Sequence, residues 1–223
     1  MQPAAARYDG HAEWYDGWAR SGGAPAMKAA RAALVELLPP PPGPAVDVGC
    51  GTGAHARFLR DHGYRVVGVD YSADQLRFAR GRLPVARADG RALPLRSGSV
   101  PLVFSLFTHT DLDGFERLVA EAVRVLAPGG VLAYVGVHPC FVSPFAEPTP
   151  DGVRLHPGYR SVGWQPRTPY TGSTVRHRVG VHHLPLEGLL TAFAHPGTRL
   201  ERVVERGGDA LPQLIGVRLA RLG

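Results

Sequence analysis

The sequence predicts an α/β protein built on an open, mostly parallel sheet with helices on both faces. Three observations carry that expectation. Ala45 to Gly49 is a short apolar strand that runs into glycines at 49, 51 and 53 and then at once into a helical pattern. That strand–turn–helix layout offers backbone N–H groups and the positive end of a helix to a ligand at a sheet edge. Short apolar strands and amphipathic helices then alternate as far as Val137. Asp70 and Asp89 stand at the carboxyl ends of the second and third strands, where ligands of open parallel sheets gather.

Residues 7–20 hold four aromatics, and helical spacing brings Trp14 to Trp18 and His11 to Tyr15. Such a helix either packs on the sheet edge or lies as a lid over a pocket. Met27, Ala30, Leu34, Leu37 and Leu38 keep a helical period until the prolines of 39–44 break it. The first strand, 45–49, is followed by a helix over 52–62 and a second strand over 65–70. Asp70, 21 residues after Gly49, can accept two ribose hydroxyls at once; the competing role of helix cap falls to Ser72. A helix over 73–82 and a third strand over 84–88 lead to Asp89 and Gly90. The fourth strand is 100–106, with Pro101 tolerated near its start. A helix with an apolar stripe from Leu112 to Leu126 follows, capped by Thr110 or Asp111 and stopped by Pro128-Gly129-Gly130. The fifth strand is 131–137. Residues 138–172 turn irregular and carry Phe141, Phe145, Tyr159, Trp164 and Tyr170, which reads as a substrate-binding insertion. Residues 174–181 read as extended, 186–194 as a helix, and 199–205 with 214–222 as a closing pair of strands around Gly207-Gly208-Asp209.

Composition narrows the function. At 223 residues, 44% hydrophobic and 20% charged, the chain has the size and make-up of one globular domain. No run suits a signal peptide or a membrane span, so a cytoplasmic protein without a membrane partner is expected. Two cysteines fit a reducing compartment, and neither C-x-x-C nor H-x-x-x-H spacing occurs, so no metal is expected. The net charge of +6 comes from arginines dispersed along the chain, with Lys28 the only lysine. Without a block of like charges this describes a solvated surface better than a nucleic-acid footprint.

The glycine turn satisfies the dinucleotide pattern through Gly49, Gly51 and Ala54, but Asp47 two residues earlier can address a methionyl ammonium, a charge that nicotinamide cofactors lack. The Tyr-x-x-x-Lys pair of short-chain dehydrogenases is also missing. Together with Tyr8-Asp9-x-x-Ala12-x-x-Tyr15-Asp16 and Leu126-x-Pro128-Gly129-Gly130, the turn resembles class I S-adenosylmethionine-dependent methyltransferases of the small-molecule type. The resemblance covers residues 7–137 and departs from many relatives at Pro101, where they carry Asp.

It implies a Rossmann-like seven-stranded sheet of order 3-2-1-4-5-7-6, last strand antiparallel, under an N-terminal helical cap. One methyltransferase domain over 1–223 would divide into the cap (1–44), a cofactor-binding core (45–137), the substrate-binding insertion (138–183) and a C-terminal helix with a strand pair (184–223). S-adenosylmethionine is the implied cofactor, held by Tyr15, Asp47, Gly49, Gly51, Gly53, Asp70, Tyr71, Asp89, Gly90 and Ser105. His109, His138 and His183 are the candidate catalytic residues, and Trp18 and Tyr159 the candidate substrate contacts; His182 competes with His183 for the inward position. The implied partner is a small-molecule acceptor methylated on oxygen, nitrogen or carbon by in-line displacement, and the chain is a monomer or homodimer. Ser105-Leu106-Phe107-Thr108 replaces the N/D-P-P-Y/F motif of nucleobase amino methyltransferases. A cyclase or non-methylating homologue, and an RNA or protein methyltransferase, stand as alternatives.

Overall fold

A computed structural model describes residues 6–166 and 174–223. The chain opens with α1 (Ala12–Arg20) and α2 (Ala24–Val35). The core follows as β1 (Gly43–Val48), α3 (Ala56–Asp61), β2 (Tyr64–Asp70), α4 (Ala73–Ala79), β3 (Val85–Arg87), β4 (Val100–Leu106), a 3-10 turn (Thr108–Thr110), α5 (Phe115–Val125) and β5 (Leu126–Val137). Then come β6 (Ala146–Thr149), β7 (Gly152–Leu155), β8 (Gly163–Gln165), α6 (Thr174–Val179), β9 (Val181–His183), α7 (Leu186–Ala192), β10 (Thr198–Arg206) and β11 (Leu214–Arg221). Seven strands form one sheet in the order β10-β11-β5-β4-β1-β2-β3. Counting the closing pair as strands six and seven, this is the expected 3-2-1-4-5-7-6. β1 to β5 run parallel, and β11 lies antiparallel to both β5 and β10.

Strand alternation builds a core on each face. In β4, Leu102, Phe104 and Leu106 join the layer under α2, α3 and α4, while Val103 points into the layer under α5 and α7. β5 divides the same way, with Val131, Ala133 and Val135 against Leu132 and Tyr134. The stripe of α5 buries Phe115, Leu118, Val119, Ala122 and Val123, which fixes the second layer. Pro101 is exposed, and the β4–β5 register is irregular between Val100 and Leu102, so its missing N–H breaks no regular ladder.

Several local expectations are corrected. α5 starts at Phe115 after Gly114, whose φ of 71° makes it a left-handed N-cap without a side-chain bond; Thr110 ends the 3-10 turn and Asp111 follows it, so neither caps the helix. Residues 174–179 are helical rather than extended. The 138–172 stretch contains one antiparallel pair, β6 with β7, and also β8, which pairs antiparallel with β9 beyond it; Tyr170 lies outside the described residues. Among the described residues no helix is long and apolar enough to cross a membrane, and no group of three His, Cys, Asp or Glu is placed to hold a metal ion.

Candidate active site

The glycine turn is built by the three residues that lack a Cβ. Gly49, Gly51 and Gly53 have φ of 78°, 52° and 74°, a region that side chains enter only under strain. A Cβ on Gly49 would overlap the Thr108 methyl group, and one on Gly53 would lie 2.7 Å from Leu83. Gly49 thus lets the turn close on the segment after β4, and Gly53 lets it close on the end of the α4 region.

Across the turn, Asp70 ends β2. Its Oδ2 accepts the Gly51 N–H at 2.8 Å and its Oδ1 accepts the Ser72 N–H at 2.8 Å. The carboxylate is fixed in orientation by backbone, and each oxygen keeps a lone pair for a ligand. Burial, with the Asp9 charge, raises its pKa against the backbone bonds from Ser72, Gly51 and Tyr71. Ser72 also caps α4 through the Gln75 N–H and donates to Asp9 Oδ1 at 2.6 Å, tying the segment before α1 to the same corner.

The corner opens into a cavity of about 480 Å³, within the range of small-molecule sites. Seven of the ten expected cofactor residues line it: Tyr15, Gly49, Gly51, Asp70, Tyr71, Asp89 and Gly90. The other three do not. Gly53 serves packing. Ser105 donates to Val48 O at 2.7 Å and pairs with Thr108 Oγ1 at 2.8 Å, which clamps the carboxyl ends of β1 and β4 together. Asp47 is 2% exposed, its Oδ2 has no partner, and burial together with the Asp70 charge pushes its pKa up to about 8. Asp89 faces the cavity already engaged: Arg91 Nη2 reaches Oδ2 at 2.7 Å and the Arg91 N–H reaches Oδ1 at 2.9 Å.

The expected catalytic and substrate side chains are placed differently. His109 turns inward, 2% exposed, and its Nδ1 pairs with Tyr134 Oη. Burial, then the Arg176 charge, lowers its pKa to about 3, which leaves it a feeble base off the cavity wall. The position just past β4 suggested a base; the aromatic layer of Phe115 and Tyr134 around the ring gives it a packing role instead. His138 accepts the Cys140 N–H at Nδ1 and donates from Nε2 to Glu205 at 2.8 Å, so one nitrogen shapes the turn after β5 and the other ties it to β10. His183 donates to Tyr159 O at 2.7 Å, and Tyr159 Oη accepts the Leu186 N–H; that pair fastens the insertion to the start of α7. His182 meets Asp113 at 3.2 Å through Nε2 while its Nδ1 is buried without a partner. Trp18 stacks on Trp14 at 6.3 Å and fills the space above Gly23, where a Cβ would lie 2.7 Å from its ring. None of His109, His138, His183, Tyr159 or Trp18 lines the cavity.

Sequence reasoning missed the residues that do meet there. Tyr8 and Asp111 both line the cavity, and Tyr8 Oη donates to Asp111 Oδ1 at 3.3 Å. Phe107, at the turn that delivers Asp111, has a φ of 65°, the one left-handed non-glycine among the described residues. The sequence signal was an acid five residues past β4, which a helix-cap reading absorbed.

The site's donor set suits a ligand with vicinal hydroxyls and a cationic group. Asp70 offers two oriented lone pairs, and the orphaned Asp47 oxygen lacks a cationic or N–H donor. The profile of the methyltransferase domain family matches residues 46–134. Over 92 residues the chain is 39% identical to malonyl-[acyl-carrier protein] O-methyltransferase of Enterobacter lignolyticus, covering 40% of this chain and 37% of that protein. Over 94 residues it is 42% identical to trans-aconitate 2-methyltransferase of Paracidovorax citrulli, covering 40% and 36%. The match thus spans less than half the length of these relatives. The fold is similar to that of an S-adenosylmethionine-dependent methyltransferase from Mesorhizobium loti, with TM-score 0.70 and 24% identity over 85% of this chain and 96% of that one.

Proposed function

We propose that the chain is a class I S-adenosylmethionine-dependent methyltransferase, a reading supported by the methyltransferase domain profile that matches residues 46–134, and that it methylates a small-molecule acceptor. The observation that carries the reading is Asp70, oriented by Gly51 and Ser72 at the mouth of the glycine turn. In this reading Asp70 holds the ribose hydroxyls, the Gly49–Gly51 backbone lies against the ligand, and Asp47, buried behind the turn, gives up its proton when the methionyl ammonium binds beside it. Asp89, through the lone pairs Arg91 leaves free, and Gly90 border the adenine; Tyr15 and Tyr71 close the walls. The bound cofactor supplies an already activated methyl group, so the protein's share is mainly alignment and exclusion of water. Orientation of that kind is worth roughly 7–11 kcal/mol, more than a general base adds.

Titration calorimetry with S-adenosylmethionine and S-adenosylhomocysteine tests the site. Micromolar binding by the wild type and a loss of at least about tenfold in Asp70→Ala are expected, because bonds to a charged acceptor are worth about 1.5–3 kcal/mol each. No binding by the wild type refutes the reading. Release of S-adenosylhomocysteine on turnover separates methyl transfer from a cyclase that keeps its cofactor.

A further inference from the structure

We infer that Asp111 is the proton acceptor of this site, and that the methyl acceptor is a neutral protic group, a phenol, hydroxyl or amine, rather than a carboxylate. The inference rests on the methyl-transfer reading and deepens it. Three elements converge on the Asp111 carboxyl group. The turn after β4 delivers it, through Phe107 held at a φ of 65°, a conformation that strains a side chain and clusters at ligand sites. The segment before α1 contributes Tyr8, whose hydroxyl reaches Oδ1 at 3.3 Å; Thr110 Oγ1 reaches the same oxygen at 3.4 Å. Among the described residues Oδ2 makes no hydrogen bond, and the side chain lines the cavity. α6 contributes Arg176, which is buried and donates to Val142 O at 2.7 Å.

The charged and titratable groups facing Asp111 are Tyr8, Tyr15, Asp70, Tyr134 and Arg176. Burial outweighs the Tyr8 bond, and Asp70 adds to it, so Asp111 is pushed up to about 7. A carboxyl group tuned there is a competent base at neutral pH. An anionic acceptor would need no base and would face the like charges of Asp70 and Asp111 on the cavity wall. The two arginines on that wall are already engaged, Arg91 by Asp89 and Arg7 by the face of Trp164 at 3.2 Å. In the step proposed, the acceptor's X–H bond breaks and its proton passes to Asp111. The freed electron pair forms the bond to the methyl carbon as the carbon–sulfur bond breaks, its pair remaining on sulfur.

Three measurements test this. Calorimetry with S-adenosylhomocysteine on wild type and Asp111→Asn should give affinities within about threefold. Absence of binding by the wild type would defeat the methyl-transfer reading itself, whereas loss confined to the variant would overturn only the inference. In protein labelled with carbon-13 at aspartate carboxyls, the resonance missing from Asp111→Asn should titrate in the wild type with a midpoint near 7; a midpoint near 4 overturns the inference, whatever the variant's folding. Methyl transfer from tritium-labelled cofactor should then reach p-cresol, benzyl alcohol or aniline and not phenylacetate. Below pH 7 the wild-type rate should rise with pH. Asp111→Asn should lose about 10²-fold or more in kcat and that pH limb, with KM within threefold, and Asp111→Glu should recover part of the rate. Transfer to phenylacetate alone, transfer to none of the protic probes, or an unchanged limb in Asp111→Asn overturns it.

Discussion

In the proposed reading, Asp47 serves binding at the expense of stability. It is shut inside the sheet with an orphaned oxygen, and its pKa of about 8 stands far above the ordinary 3.8 because burial and the Asp70 charge both disfavour ionisation. The folded chain therefore keeps a proton that the unfolded chain releases near pH 4. Its stability contribution is complete below about pH 4 and falls as pH rises through about 8. Asp47→Asn removes that titration. Differential scanning calorimetry should show nearly equal Tm for variant and wild type at pH 4. By pH 9 the variant should lead by at least about 2–4 °C, the equivalent of about 1 kcal/mol in a chain of this size. The same variant should bind S-adenosylmethionine at least about tenfold more weakly, since the amide offers no charge to the ammonium. A wild-type lead at pH 9 would show that Asp47 has a donor partner in the free protein and is not held in reserve for a ligand.

At the scale of elements, the segment before α1 is strapped to the start of α4 beside the site. Gly10 N–H donates to Asp74 Oδ2 at 2.9 Å, Ser72 Oγ donates to Asp9, and Arg82 bridges Asp16 of α1 to Thr52 O in the glycine turn. Asp74 is half-buried, but its bond to Gly10 lies at the surface, where such bonds add little global stability. Asp74→Ala should therefore leave Tm within about 2 °C while raising the dissociation rate of S-adenosylhomocysteine severalfold in stopped-flow displacement, because the strap carries Tyr8 and Tyr15 over the cavity. An unchanged rate would make the strap a packing element only. The elements themselves were legible to the degree that local pattern decides them. β4 shows this, since Val100–Leu106 alternates between two cores and its bounds follow from the sequence. α6 shows the opposite. Val175, His177 and Val179 alternate with arginines and read as a strand, yet Arg176 is buried and bound to Val142 O, a contact 34 residues away that supports a helix. The site divides along the same line. Asp70 was legible because its partners, Gly51 and Ser72, lie in its own strand–turn unit. Asp111 was not, because its partner Tyr8 is 103 residues distant, and His109 was misjudged because its orientation depends on Tyr134 of β5.

For the whole molecule, charge is sorted between inside and outside. The net charge is +6, yet three acids, Asp47, Asp70 and Asp111, gather at one end of the sheet, where burial raises the pKa of each. Apart from buried Arg176, most arginines are dispersed on the outside, and several are matched by acids. Glu36 takes Arg202 and Arg206, Glu201 takes Arg199 and Arg218, and Glu121 takes Arg124. Each pair adds little to stability, but it removes a cation from the pool that phosphates would recruit. A surface of this kind has a high isoelectric point without a continuous phosphate-binding track. Filter binding of a labelled 20-nucleotide RNA should therefore show no retention at 0.15 M salt and micromolar protein. Retention that collapses by about 10³-fold or more between 50 and 200 mM salt would mean six or more phosphate contacts, and would move the acceptor from a small molecule to RNA.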